Sequence, residues 1–181
     1  MKLVILDRDG VINHDSPGYI KSPAEWLPIT GSLEAIASLN QGGYHVVVAT
    51  NQSGLGQGLF DMATLNAIHH KMHQALAQVG GRIDGIFYCP HTRDAQCQCR
   101  KPQPGLLQAI AKRCNTPLTD VPFIGDSERD ILAGAAVGAQ LHLVLTGNGL
   151  ATQAAGLPPH TRVHADLAAA ARELLRSSPQ S

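Results

Sequence analysis

Lys2-Leu3-Val4-Ile5-Leu6-Asp7-Arg8-Asp9-Gly10-Val11 is the stretch on which the fold turns. Its apolar run, Leu3 to Leu6, reads as a strand buried on both faces, as in a parallel sheet covered by helices. The run ends in two acids one residue apart and then a glycine, at the strand end where open α/β sheets build their sites. Side chains two apart on a strand share a face, and carboxylates that close repel. A hard cation removes the cost, since Mg²⁺ takes one or two carboxylates and keeps its other positions for water and substrate phosphate. A helix cap or loop pair is the competing reading; it accounts for one Asp but not for both after an apolar run.

The 181 residues suffice for one domain with a sizeable core, taken as residues 1–176 with a disordered tail at 177–181. Fourteen basic residues balance fourteen acidic ones and no Lys/Arg run occurs, which argues against an extended nucleic-acid footprint but not against a short single-strand contact. No segment approaches about 18 consecutive apolar residues, and the N-terminus enters the first strand without a signal-like stretch. The expectation is a cytoplasmic protein without a membrane partner. With no heptad seam, a monomer is expected.

Outward from the first strand, apolar runs and helical stripes alternate. Leu3–Leu6, His45–Ala49, Gly85–Tyr88, Pro122–Ile124 and Leu141–Leu145 predict strands. Ser32–Gln41 predicts a helix stopped at Gly42-Gly43, and Asp61 caps a longer one striped by Leu65, Ile68, Met72, Leu76 and Val79. Pro104–Arg113, Asp130–Val137 and Asp166–Leu175 follow as helices. The alternation is that of an α/β, doubly wound, mainly parallel sheet.

Further strand ends carry chemistry. Ala49-Thr50-Asn51-Gln52-Ser53-Gly54 brings a hydroxyl and backbone N–H groups to a strand's carboxyl end, where they can hold phosphate; a plain polar turn is the alternative. Ile124-Gly125-Asp126 supplies a second metal carboxylate, and Asp130 either orients that site or favours a helix N-terminus by its charge. In Arg100-Lys101-Pro102 the Lys offers a compact charge to nucleophile and phosphoryl oxygens, and the Arg a bidentate grip on phosphate.

Cys89-Pro90-His91 and Cys97-Gln98-Cys99 place three Cys and one His within eleven residues. Four such ligands close a tetrahedron, which indicates structural Zn²⁺; a disulfide is the rival, disfavoured in a reducing cytosol. The loop runs directly into Arg100 and Lys101, so the metal would position both. Cys114 reads as a core residue. His69 and His73 have metal-compatible helical spacing but no third ligand, and with His70 beside them they read as structural.

In this order, Asp7-Arg8-Asp9-Gly10, Thr50-Asn51, Lys101 and Gly125-Asp126 resemble the four motifs of the haloacid dehalogenase superfamily of aspartyl phosphotransferases, over nearly the whole chain. The resemblance implies its Rossmann-like fold, Asp7 as nucleophile, and Asp9 as acid and then base. It also implies Mg²⁺ held by Asp7, the Asp9 main-chain carbonyl and Asp126. Motif spacing leaves no room for a cap domain, so specificity is expected from the loops at 13–19 and 52–58 and from the zinc loop.

Asp-Arg-Asp-Gly-Val-Ile-Asn, Gly18-Tyr19, Thr-Asn-Gln-Ser-Gly, Cys-Pro-His and Cys-Arg-Lys-Pro together look like the D-glycero-D-manno-heptose 1,7-bisphosphate phosphatases. That family supplies heptose for nucleotide-activated sugars of bacterial surface polysaccharide. The likeness implies a small phosphosugar substrate touched by Asp15, Gly18, Tyr19, Thr50, Asn51, Gln52, Ser53, Arg100 and Lys101. Ser127 departs from the Lys that many relatives carry, which leaves the anomer open. Histidinol-phosphate phosphatases are similar in fold, motifs and zinc loop, and a polynucleotide 3'-phosphatase resembles the Thr-Asn-Gln segment but lacks support from basic residues. A receiver domain that keeps its aspartyl phosphate, or a zinc-organised binding module, would be the non-enzymatic readings.

Overall fold

The computed structural model describes residues 1–177. Six parallel strands form one sheet: β1 (Lys2–Leu6), β2 (Tyr44–Asn51), β3 (Gly85–Cys89), β4 (Pro122–Gly125), β5 (Gln140–Val144) and β6 (Arg162–His164), in the order β3-β2-β1-β4-β5-β6. The helices are α1 (Ser32–Gln41), α2 (Ser53–Gly56), α3 (Met62–Gln78), α4 (Gly105–Cys114), α5 (Glu128–Ala136), α6 (Gly149–Ala154) and α7 (Leu167–Ser177).

The opening strand lies in the interior of this sheet. It pairs with β2 from Lys2↔Tyr44 to Leu6↔Val48 and with β4 at Ile5↔Phe123 and Leu6↔Ile124. Its side chains alternate between two cores. Val4 and Leu6 pack with Ile36 and Leu39 of α1, Ile68 and Met72 of α3 and Leu167 of α7. Leu3 and Ile5 join Leu106, Leu107 and Ile110 of α4 and Phe123 of β4. Burying each such aliphatic chain is worth about 1.5–3 kcal/mol, which explains an uninterrupted apolar run. Because the chain winds from β1 out to β3 and then crosses to β4 on the other flank of β1, a crevice opens at the carboxyl ends of β1 and β4.

Two helix starts show how local chemistry sets boundaries. Asp61 caps α3, accepting the Thr64 N–H at 2.8 Å. α5 begins at Glu128, ahead of the expected Asp130, because Ser127 caps it and Asp130 is the third helical residue of a capping box. β6 escaped the sequence reading because it is short and two of its three residues are exposed. The glycine-rich α2 and the glycine-led α6 escaped because one or two turns show no stripe. Ser177, expected in the tail, is the last residue of α7, and its hydroxyl donates to the Glu173 carbonyl at 2.9 Å; residues 178–181 lie outside the described residues. No described helix is long and apolar enough to cross a membrane.

Candidate active site

Asp7 follows β1, Asn51 ends β2 and Asp126 follows β4, so one crevice collects the acids and a strand-end polar segment. Lys101 reaches in from the loop before α4. Its ammonium is almost wholly buried and donates to the Ala49 carbonyl at 2.7 Å, lying 2.7 Å from Asp130 Oδ1 and 3.1 Å from Asp7 Oδ1. Burial alone would lower its pKa; the charges of Asp130 and Asp7 outweigh this and raise it, so the lysine stays charged. Asn51 fixes its backbone, donating to the Lys101 carbonyl and accepting the Lys101 N–H, both at 3.0 Å.

Asp130 is engaged at both carboxylate oxygens. Oδ1 takes the lysine, while Oδ2 accepts the N–H groups of Asp126 and Ser127 at 3.2 Å each and the Ser127 hydroxyl at 3.0 Å. Although burial opposes ionisation, Lys101 holds Asp130 below the usual carboxylate range. Asp7 and Asp126 fare differently. Burial, with Asp130 next, raises Asp7 well above its ordinary value, and the same two causes push Asp126 to about 7. The carboxylate oxygens of Asp7, Asp126 and Asp130 lie within 4.8 Å of one another, and Asp130 is already committed. Asp7 and Asp126 thus form a donor set of buried oxygens short of positive charge, which fits a hard divalent cation. Backbone pinches Asp126 from two sides: Gly10 and Gly147 have φ of +82° and +56°, and a Cβ on either would run into its carboxylate. Asn148 donates its N–H to Asp126 Oδ2 at 2.8 Å.

Asp9 is held asymmetrically. Its Oδ1 accepts Arg8 Nε at 3.0 Å, Arg8 Nη2 at 2.8 Å and Asn13 Nδ2 at 2.9 Å. Among the described residues, Oδ2 has only a long contact, 3.4 Å, from Gln52 Nε2. Gln52 also donates to the Thr50 hydroxyl at 2.9 Å, and both side chains are buried.

A cavity of about 500 Å³ opens above these groups. Asp7, Asp9, Asp126 and Lys101 form part of its lining, and of the residues expected to touch substrate Asp15, Tyr19, Asn51, Ser53 and Arg100 also line it. Thr50, Gln52 and Gly18 lie outside that lining, the first two behind Asp9. Arg100 donates to the Ser53 hydroxyl. Its pKa is drawn down by burial and then by Arg129 and Arg93, which share the cavity wall, so three cations crowd a place suited to an anion. Asp15 is pushed up by burial and by Asp9.

The cysteine loop sits beside this wall. Ligand atoms of Cys89, His91, Cys97 and Cys99 lie within 4.8 Å of one another, with Cys89 Sγ 3.6 Å from Cys97 Sγ and His91 Nδ1 3.2 Å from Cys99 Sγ. Tetrahedral zinc with bonds of about 2.3 Å sets sulfurs about 3.8 Å apart; Cys89 and Cys97 stand near that spacing and Cys89 and Cys99, at 2.8 Å, are closer, so the four donors could hold zinc once that pair spreads. All four cysteines are free. Burial raises the Cys89 thiol to about 12; at Cys97 burial is outweighed by hydrogen bonds from the Arg100 backbone and neighbouring thiols, bringing it to about 6. Cys114 packs half-buried against the α4 core.

Comparison with known proteins agrees with this geometry. A family model described as HAD-hydrolase-like matches residues 98–170. The D-glycero-β-D-manno-heptose-1,7-bisphosphate 7-phosphatase of Bordetella bronchiseptica is 58% identical, covering 98% of this chain and 100% of its own, and that of Pseudomonas putida is 53% identical over 97% and 100%. The chain belongs to this phosphatase family. A crystal structure of the B. bronchiseptica D,D-heptose 1,7-bisphosphate phosphatase complexed with magnesium and phosphate matches with a TM-score of 0.97 over 98% of this chain and 100% of that one. The Burkholderia thailandensis D,D-heptose 1,7-bisphosphate phosphatase, 55% identical, matches with a TM-score of 0.79 over the same shares.

In this heptose bisphosphate phosphatase-family site, the lining residues Asn148, Arg129 and Arg93 are among those that went unread in the sequence. Asn148 follows β5 in Thr146-Gly147-Asn148-Gly149, and the strand-end rule that found Asp126 could have found it. Arg129, in the first turn of α5, and Arg93, in the zinc loop, carry no motif. His70 and His73 are exposed on α3, while His69 is buried with Nε2 3.0 Å from Arg8 Nη1.

Proposed function

We propose that the protein hydrolyses the 7-phosphate of D-glycero-D-manno-heptose 1,7-bisphosphate through an aspartyl phosphate, with residues 1–176 acting as one catalytic domain. The observation that carries this reading is a single cavity joining Asp7, Asp9, Asp126 and Lys101 to three arginines. Asp7 attacks phosphorus, the sugar oxygen leaves, and Asp9 protonates it. Asp9 then takes a proton from water as that water attacks the aspartyl phosphate, which frees inorganic phosphate and restores Asp7. An anionic carboxylate and an anionic phosphate 4 Å apart repel by about 1–4 kcal/mol per charge pair, and Lys101 opposes that repulsion. Asp7, the Asp9 carbonyl and Asp126 would hold Mg²⁺, which when bound supplies charge neutralisation at the phosphoryl oxygens.

Arg100, with Arg129 and Arg93, would receive the second phosphate, and Asp15 and Asn148 would meet sugar hydroxyls. Zinc at Cys89, His91, Cys97 and Cys99 would stiffen the loop that carries Arg93, Arg100 and Lys101. The relatives' names favour the β anomer. We place the enzyme in the cytoplasm as a monomer that serves nucleotide-activated heptose synthesis. Phosphate release from both anomers and from histidinol phosphate, with Asp7→Asn as blank, tests this. A kcat/KM preference of ~100-fold for heptose bisphosphate, about 2.7 kcal/mol, is expected; preference for histidinol phosphate would refute the substrate and spare the chemistry.

A further inference from the structure

Arg8 is fully buried, which is rare for a guanidinium. It lies between Asp7 and Asp9 in sequence, yet the fold turns it away from the cavity toward α3, where Nη1 meets His69 Nε2 at 3.0 Å while Nε and Nη2 fork onto Asp9 Oδ1. An arginine can only donate, so His69 Nε2 must accept and the ring carries its proton on Nδ1. From the geometry we infer that His69 and Arg8 form a relay of position, in which the α3 histidine sets the rotation of the guanidinium and the guanidinium sets the rotation of the Asp9 carboxylate. With Asn13 added, three donors saturate Oδ1. The sparsely bonded Oδ2 is then the oxygen that gives and takes the proton.

This rests on the assignment of Asp9 as acid and base. His69 and Arg8 are positioning residues, because neither lines the cavity. Removing the acceptor leaves a buried N–H unpaired and frees the fork to swing, and displacement of a reacting group by about 1 Å can cost on the order of 100-fold. A positioning defect has a signature that general loosening lacks. Sugar alkoxide needs a proton to leave, whereas p-nitrophenolate leaves without one, so kcat/KM should fall unequally on the two esters.

The test compares His69→Leu, His69→Gln, Arg8→Lys and Asp9→Asn on heptose bisphosphate and on p-nitrophenyl phosphate. His69→Leu is expected to lose about tenfold or more in kcat/KM on the sugar and less than about threefold on the aryl ester, as Asp9→Asn does. His69→Gln, whose amide oxygen can reach the Nε2 position, should recover most of the loss. If His69→Leu does not fold, Arg8→Lys, which keeps charge but loses the fork, must show the same split. Equal losses on both esters, or no loss, would overturn the relay while leaving Asp9 in its role. An Asp9→Asn enzyme with undiminished rate on the sugar would overturn both.

Discussion

Asp130→Asn keeps the shape of a buried side chain and removes its charge, and its effect can be worked from the contacts. Oδ1 faces the Lys101 ammonium at 2.7 Å, and Oδ2 faces three donors from Asp126 and Ser127. Both ends of the carboxylate therefore accept, whereas an amide accepts at one end and donates at the other. Whichever way the Asn turns, its NH₂ confronts either an ammonium or a set of N–H and O–H groups. The gross attraction lost at 2.7 Å is about 6 kcal/mol at an effective dielectric near 20, part of which desolvation had already offset. Breaking one side of a buried pair costs about 3–5 kcal/mol net. For a chain of this length that lowers Tm by roughly 10 °C. Lys101 also loses the partner that holds it beside Asp7, so kcat should fall by about tenfold or more. Urea unfolding and steady-state rates at saturating substrate measure both effects, with Ser127→Ala, expected to lose about 1 kcal/mol, as the comparison. A variant within about 2 °C of wild type and within twofold in kcat would refute the reasoning.

His142 and His164 lie edge to edge, their planes 12° apart and centroids 5.1 Å apart, with His142 Nδ1 2.9 Å from His164 Nε2, and burial followed by the His164 charge lowers His142 to about 3. A folded-state pKa below the unfolded value of about 6.5 means that the unfolded chain binds the proton first, so this stabilisation is present above pH 6.5 and lost as pH falls toward 3. The stability gap between wild type and His142→Asn should narrow by about 2 kcal/mol from pH 7 to pH 5 in urea melts; a constant gap would dismiss the idea. Chelating zinc should lower activity, because the loop it would brace ends at Arg100 and Lys101, and unchanged rates with metal removal verified by elemental analysis would dismiss that coupling. Arg129→Ala should raise KM about tenfold for heptose bisphosphate and much less for the 7-monophosphate, read from parallel saturation curves; equal changes would remove Arg129 from the second-phosphate role.

Legibility in the sequence followed the strength of the local signal. Long apolar runs and helices with a full stripe, such as β1, β2, α1 and α3, were readable because burial imposes a period on residue choice. β6 and α6 were not, since one short exposed strand and a glycine-led turn obey no period. Asp7, Asp9, Asp126 and Lys101, and likewise Cys89, His91, Cys97 and Cys99, could be singled out in the sequence because they stand at strand ends or close together along the chain, and the fold brings each set together. What those residues do remains the proposal that the experiments above address.

By itself, the sequence determined that an apolar strand ends in paired acids, that β and α segments alternate around it, and that three cysteines and a histidine share one short loop. Each is a statement about neighbours along the chain, where spacing and residue type carry the information. Only tertiary structure decided that Lys101 lies between Asp7 and Asp130, and that Arg93, Arg100 and Arg129 share one wall. It likewise decided that a helical histidine, His69, meets Arg8 between Asp7 and Asp9. These groups are separated by tens of residues and meet because parallel strand order brings distant loops to one edge of the sheet. Contact across the sheet leaves no period in the sequence, so distance, burial and charge had to be read from the folded chain.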